Sequence, residues 1–260
     1  AVVFQYGAKN IKLIGSSMRN LAMCGIAIGV PQLTWNTAGL AGFSENVEIC
    51  NNYITNIGVS VYGAPAIAVK RSENLKILYN KIVHTPYSGI TAGWGFNTSS
   101  NPIANKCLVN AEIAYNHVED TVYKINDGAA IYVNGANAAV TDTAMMNSIH
   151  DNYVRAGAHN KTYTGIYHDG SASNWHTYHN FIDDMKSGAG PMFFQDNVPS
   201  QATHNILVEK NFTTVSMIVQ NGKTDSNGYP RNVVIKDNNV VFADRSKIDA
   251  EAASIQSAAG

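Results

Sequence analysis

Charge is scarce in this 260-residue chain: only 14% of its residues are Asp, Glu, Lys or Arg, where soluble domains usually carry about 25%. The formal net charge is −1. A nucleic-acid binder holds phosphates with a basic surface, so that class is excluded, and no nucleic-acid partner is expected. No apolar run approaches the roughly 18 residues of a membrane-spanning helix. The three cysteines, Cys24, Cys50 and Cys107, are too few for a disulfide framework and have no metal-ligand spacing. They read as small buried hydrophobes. The eight histidines also lack a compact ligand motif. No signal peptide is present, as in a mature secreted protein or a piece of a longer chain. Asn97-Thr98-Ser99, Asn160-Lys161-Thr162 and Asn211-Phe212-Thr213 match glycosylation acceptors, in keeping with a secreted or periplasmic setting.

Asparagine, by contrast, is abundant, with 30 copies beside 21 glycines. A surface made polar by uncharged amides suits a partner with many hydroxyls and little charge. The asparagines are also periodic. Asn-x6-Asn recurs at Asn46/Asn52, Asn74/Asn80, Asn110/Asn116, Asn174/Asn180, Asn205/Asn211 and Asn232/Asn238. Met146 leads the same frame to Asn152, and a degenerate first copy runs from Asn10 to Ser16. Three residues after each start stand Leu13, Ile49, Ile77, Ile113, Ile149, Thr177, Val208 and Ile235. Eight residues after each start stand Met18, Ile54, Ile82, Val118, Val154, Ile182, Thr213 and Val240. Successive starts lie 36, 28, 36, 36, 28, 31 and 27 residues apart.

Each unit reads as two short strands with a turn at the second Asn. Strands of three to five residues cannot bury themselves alone, but stacked coils can, each strand pairing with those above and below. A third ladder, Ile26, Ile67, Ile90, Ile131, Ile166, Phe193 and Met217, usually follows glycine or alanine and supplies a third strand per coil. The fold class is therefore all-β: a right-handed parallel β-helix, pectate-lyase-like, with about eight coils. A propeller would need two-residue hairpin turns, which are sparse here. Residues 1–243 form the β-helix domain. The Ala-rich stretch 244–260 reads as a short C-terminal helix capping the last coil. No equivalent cap precedes the first repeat, so further N-terminal coils, in this chain or another, are expected.

Unequal coil lengths imply loops walling a groove on one side, centred on residues 84–134 and 159–196. If Ile131 and Ile166 point inward, alternation turns Tyr132 and Tyr167 outward on neighbouring coils, with Phe194 in the same phase. Such an aromatic stripe is a surface for sugar rings; its alternative use is to support a loop. Asp127 and Asp169 would flank the stripe, a few ångströms to roughly 10 Å apart given about 4.8 Å between strands. One protonated carboxyl and one ionised carboxylate placed so can cleave a glycosidic bond. Both also begin Asp-Gly pairs, common turn dipeptides. His168, next to Asp169, is expected to orient that carboxyl or to pack. Trp94, between glycines after Tyr87, is a candidate sugar platform or a core plug. No cofactor is required, although Glu119-Asp120 and Asp183-Asp184 leave Ca²⁺ as an outside candidate.

Three strings carry a resemblance: His84-Thr-Pro-Tyr-Ser-Gly-Ile-Thr-Ala-Gly-Trp-Gly-Phe, Asn126-Asp-Gly-Ala-Ala-Ile-Tyr and Gly165-Ile-Tyr-His-Asp-Gly-Ser. Together they resemble right-handed β-helix carbohydrate-active enzymes, and most of all glycoside hydrolase family 141. The resemblance spans roughly residues 74–260. It implies a secreted glycosidase acting on cell-wall polysaccharide, with Asp127 and Asp169 as the catalytic pair. Trp94, Tyr132, Tyr167, His168, Tyr87 and His84 are then the substrate contacts. Two alternatives remain: a polysaccharide lyase acting on a uronate polymer with Lys124 as base, or a non-catalytic glycan-binding β-helix.

Overall fold

A computed structural model describes residues 1–4, 7–29, 44–93, 108–135, 146–155, 164–169, 172–183, 190–194, 206–209, 212–213, 219–221 and 233–240. The described residues form 24 strands in three eight-stranded sheets, and every pairing is parallel. Successive strands visit the sheets in turn. The first sheet contains β1 (Val2–Phe4), β4 (Ile26–Ile28), β7 (Ile67–Val69), β10 (Ile90–Ala92), β13 (Ala129–Asn134), β16 (Thr164–Asp169), β19 (Gly190–Phe194) and β22 (Val219–Asn221). The second contains β2 (Lys9–Ile14), β5 (Ser44–Cys50), β8 (Ser72–Leu78), β11 (Leu108–Ala114), β14 (Asn147–His150), β17 (Trp175–Tyr178), β20 (Ile206–Glu209) and β23 (Val233–Lys236). The third contains β3 (Ser17–Leu21), β6 (Tyr53–Ile57), β9 (Lys81–Val83), β12 (His117–Glu119), β15 (Tyr153–Arg155), β18 (Phe181–Asp183), β21 (Phe212–Thr213) and β24 (Asn239–Val240). This is a parallel β-helix of eight coils with three strands in each.

The repeat frame and the strand register coincide. Leu13, Ile49, Ile77, Ile113, Ile149, Thr177, Val208 and Ile235 pair in one unbroken column of the second sheet. Met18, Ile54, Ile82, Val118, Val154, Ile182, Thr213 and Val240 do the same in the third. Ile77, Ile113 and Ile149 are each 0% exposed, so the core is a stack of layers inside the coil.

The corner between the second and third sheets is always two residues, and its backbone conformation recurs. The first, Gly15, Asn51, Tyr79, Tyr115, Asp151 or His179, takes a left-handed conformation with φ between 50° and 66°. The second, at Asn52, Asn80, Asn116, Asn152 and Asn180, is a buried Asn that faces into the coil. Asn116 Oδ1 accepts from both the backbone N–H (2.9 Å) and Nδ2 (3.0 Å) of Asn80, while its own Nδ2 donates to the Ile77 carbonyl at 2.8 Å. Asn52, Asn80 and Asn152 repeat this pattern. The leading asparagines form a second, exposed ladder: Nδ2 of Asn46, Asn74 and Asn110 donates to Oδ1 of the preceding Asn at 2.9, 3.0 and 2.8 Å.

The third column departs from the sequence reading at one point. Ile26, Ile67, Ile90, Ile131 and Ile166 align, but Ile166 pairs with Met192 and Met192 with Val219. Phe193 therefore does not belong to the inward ladder, and Val219 is the residue that pairs next in the column, while Met217 lies outside the described residues. Because side chains alternate, a one-residue slip exchanges the faces: Phe194 enters the core and Phe193 faces out. Glycine precedes Ile90 and Ile166 for want of room. A Cβ on Gly89 would lie 2.8 Å from the Ala130 carbonyl, and one on Gly165 would lie 2.8 Å from Ile182 Cγ2. Cys24 and Cys50 are free thiols and only half-buried, not core residues, while Cys107 lies outside the described residues. The stretch 244–260, read as a helix, also lies outside them.

Candidate functional site

The outer face of the first sheet changes along the helix axis. Its central outward column reads Ala27, Ala68, Thr91, Tyr132, Tyr167 and Phe193. The last three are aromatic yet buried, 4%, 1% and 9% exposed, so this stripe is covered rather than open. Tyr132 stacks on Tyr167 with centroids 4.9 Å apart, and Tyr167 meets Phe193 at 4.7 Å. Tyr87 closes the cluster edge-on, 6.5 Å from Tyr132. Gly128 makes room for it, since a Cβ there would lie 2.8 Å from Tyr87 Cε2.

Both candidate aspartates border this cluster. Asp127 is exposed, in a left-handed turn with φ 64°, two residues before β13. Its carbonyl accepts a hydrogen bond from the Tyr87 hydroxyl at 3.2 Å. Asp169 ends β16, faces the same way as Tyr167, and is 5% exposed. The Tyr132 hydroxyl donates to Asp169 Oδ2. Since Asp169 pairs with Asn134, the two backbones sit at opposite ends of β13. At about 3.3 Å per residue, the six-residue strand separates them lengthwise by roughly 17 Å. Tyr87, bonded to the Asp127 carbonyl, and Tyr132, bonded to the Asp169 carboxylate, lie between them and meet edge-on. Burial first, then the Asp127 carboxylate and further the Asp169 carboxylate, push the Tyr87 phenol up to about 12. Burial and then Asp169 push Tyr132 far above the ordinary phenol range. Both phenols thus keep their protons and act as donors.

The other expected contacts fall elsewhere. His168 points into the coil, not toward a substrate: it is 1% exposed and stacked on Phe194 at 5.0 Å. Thr177 Oγ1 lies 3.1 Å from its Nε2. Burial lowers its pKa to about 3 and keeps the ring neutral. His84 faces Asp120, Nδ1 to Oδ2 2.6 Å, and stacks on Tyr123 at 4.4 Å. Trp94 lies outside the described residues. Lys124, the candidate lyase base, has its Nζ 4.7 Å from the Tyr62 ring centroid.

Of the acidic pairs weighed for Ca²⁺, Glu119, Asp120 and Asp183 engage protein partners, and Asp184 lies outside the described residues. Glu119 meets His117 at 3.0 Å and Arg155 at 3.6 Å, and Asp183 accepts from the Tyr153 hydroxyl at 3.0 Å. Among the described residues no group of three or more His, Cys, Asp and Glu is placed to hold a metal ion. Two features escaped the sequence reading: Ser88, whose Oγ accepts from the Ala129 N–H at 3.2 Å, and the Tyr132–Asp169 bond. The second was within reach, because alternation from an inward Ile166 turns Tyr167 and Asp169 to one face.

No family model matches the sequence, and no curated protein matches it. A solved structure of a glycoside hydrolase superposes on 91% of this chain with a TM-score of 0.51 and 19% identity. The match takes up 34% of that protein, so this chain spans about a third of its length. At that identity the likeness concerns the β-helix fold.

Proposed function

We propose that this β-helix is a glycoside hydrolase that cleaves a cell-wall polysaccharide at the edge of the covered tyrosine cluster on the first sheet, with Asp127 and Asp169 as its carboxyl pair. The observation that carries the reading is the aromatic cluster that joins the two aspartates: the Tyr87 hydroxyl donates to the Asp127 carbonyl, the Tyr132 hydroxyl donates to the Asp169 carboxylate, and the two rings meet edge-on 6.5 Å apart. The motif resemblance to glycoside hydrolase family 141 supports the same pair. Tyr132 holds one oxygen of Asp169 and so fixes the direction of the other. The lengthwise offset of the two backbones disfavours the short spacing of about 5 Å that retention needs. Of the two geometries the larger separation is nearer to inversion, in which roughly 6.5–9.5 Å between carboxyls leaves room for a water. One aspartate then protonates the leaving oxygen and the other deprotonates that water. A polymeric substrate places the enzyme outside the cytoplasm, secreted or periplasmic, and no cofactor takes part. The test is hydrolysis of a polysaccharide panel by wild type, Asp127→Asn and Asp169→Asn, with circular dichroism as the fold control. Each variant should lose about 10²- to 10⁴-fold in turnover. NMR of the first product should show the inverted anomer. Unchanged turnover in either variant removes that residue from the mechanism.

A further inference from the structure

Nine large apolar or tyrosine side chains are exposed among the described residues, and five of them fall on one strip. These are Met23 (53%), Val59 (40%), Val61 (44%), Tyr62 (45%) and Ile125 (36%). They come from three coils, on the connections that lead from the third sheet into β4, β7 and β13. The connections are tied to one another. Gly58 N–H donates to the Met23 carbonyl at 3.1 Å, and Val61 N–H to the Ala22 carbonyl at 2.9 Å. Lys124 and Ile125 N–H both donate to the Pro86 carbonyl, at 3.1 and 3.0 Å, while a Cβ on Gly58 would lie 2.8 Å from Pro86 Cγ. Gly63 packs toward Ile125, its Cβ position 3.8 Å from Cδ1. Exposed apolar side chains scattered singly need no explanation, but a contiguous strip marks a binding surface.

The strip runs along the helix axis and ends at Asp127, two residues beyond Ile125. We infer that it is the binding track for the part of a neutral polysaccharide that extends away from the bond under attack. This inference rests on the reading of Asp127 and Asp169 as the reactive pair. Tyr62 supplies an aromatic surface of the kind sugar rings pack against. Val59, Val61, Ile125 and Met23 meet the apolar faces of further sugar units. Exposed Ser60 and Asn126 offer hydroxyl and amide partners between them. The charge balance selects a neutral chain. The segment 58–66 has no charged residue, the track ends at the Asp127 carboxylate, and the Lys124 ammonium sits over the Tyr62 ring. A uronate polymer would be repelled at Asp127 with no second cation among the strip's described residues to offset it.

Affinity electrophoresis separates this track from the reactive pair. The probes are xylan, mannan, mixed-linkage β-glucan and polygalacturonate, cast separately into native gels. Wild type should be retarded by at least one neutral polymer and not by polygalacturonate. Tyr62→Ala and Val61→Ser, both at exposed positions, should weaken that retardation about five-fold or more. Asp169→Asn should keep it. Equal retardation of Tyr62→Ala and wild type overturns the track, as does stronger retardation by polygalacturonate or none by any neutral polymer. If sedimentation velocity shows self-association that Val61→Ser abolishes, the strip belongs to a second copy of the chain and the inference is wrong. Retardation that depends on Tyr62 without any hydrolysis leaves the track standing and removes the hydrolase reading. Hydrolysis that depends on Asp169 but not on Tyr62 does the reverse.

Discussion

The corner between the second and third sheets and the outer face of the first sheet follow opposite rules. At the corner, two residues suffice from β2–β3 through β17–β18, and one buried Asn recurs with the same bonds. Across the coil, the link from the first sheet to the second takes residues 29–43 after β4 but only residues 70 and 71 after β7. The 28- and 36-residue spacings of the repeat arise mainly there. Regularity marks the part of the molecule that closes each coil and fixes its register. Irregularity marks the links on either side of the first sheet, where the aromatic cluster, Asp127 and Asp169 accumulate. Stability and chemistry should therefore come apart under mutation.

The largest stability effect is expected in the core column. Ile113→Ala would open a cavity between Ile77 and Ile149, both fully buried, and cost about 2–5 kcal/mol. Hydrogen exchange should rise first in the two adjacent coils, because each coil contacts only its neighbours. Uniform loosening from the ends, or an unaltered melt, would contradict the layered core.

His168→Phe tests whether the interior beneath the candidate site behaves as core. His168 has a folded-state pKa of about 3, below its unfolded value near 6.5, because it is buried. Below pH 6.5 the unfolded chain binds the proton that the folded chain refuses. Stability contributed by the neutral ring is thus full above pH 6.5 and falls as pH drops toward 3. Between pH 6.5 and 4 the wild type should lose on the order of 3 kcal/mol relative to the variant. Parallel curves of melting temperature against pH would mean that His168 is not sequestered.

At the corner, Asn116→Ala strands the Asn80 donors and the Ile77 carbonyl, at about 1–3 kcal/mol for each orphaned group. Turnover per folded molecule should stay at the wild-type level. A selective loss of turnover would tie the corner to the chemistry and blur the contrast.

The sequence exposed the regular half of the molecule more fully than the irregular half, for a physical reason. A column such as Leu13 to Ile235 repeats one requirement eight times, so a single noisy position, Thr177, does not hide it. The Gly190–Phe194 strand offers Met-Phe-Phe, three large apolar residues with no alternation, and nothing local says which of them turns inward. Packing decides, placing Met192 and Phe194 in the core. The two aspartates stand out in the sequence through their motifs. Their lengthwise offset does not, because it depends on the extent of β13, and neither does the burial of Tyr132 and Tyr167, which depends on distant parts of the chain.

The central claim is that the first sheet's outer face performs the chemistry while the rest of the coil holds it. The most direct measurement is reducing-sugar release by Asp169→Asn on the polymer that wild type cleaves best, taken beside its melting temperature. Asn can still accept the Tyr132 hydroxyl, so the account predicts turnover reduced at least about 100-fold with a near-wild-type melt. Wild-type turnover in a folded Asp169→Asn variant would contradict it.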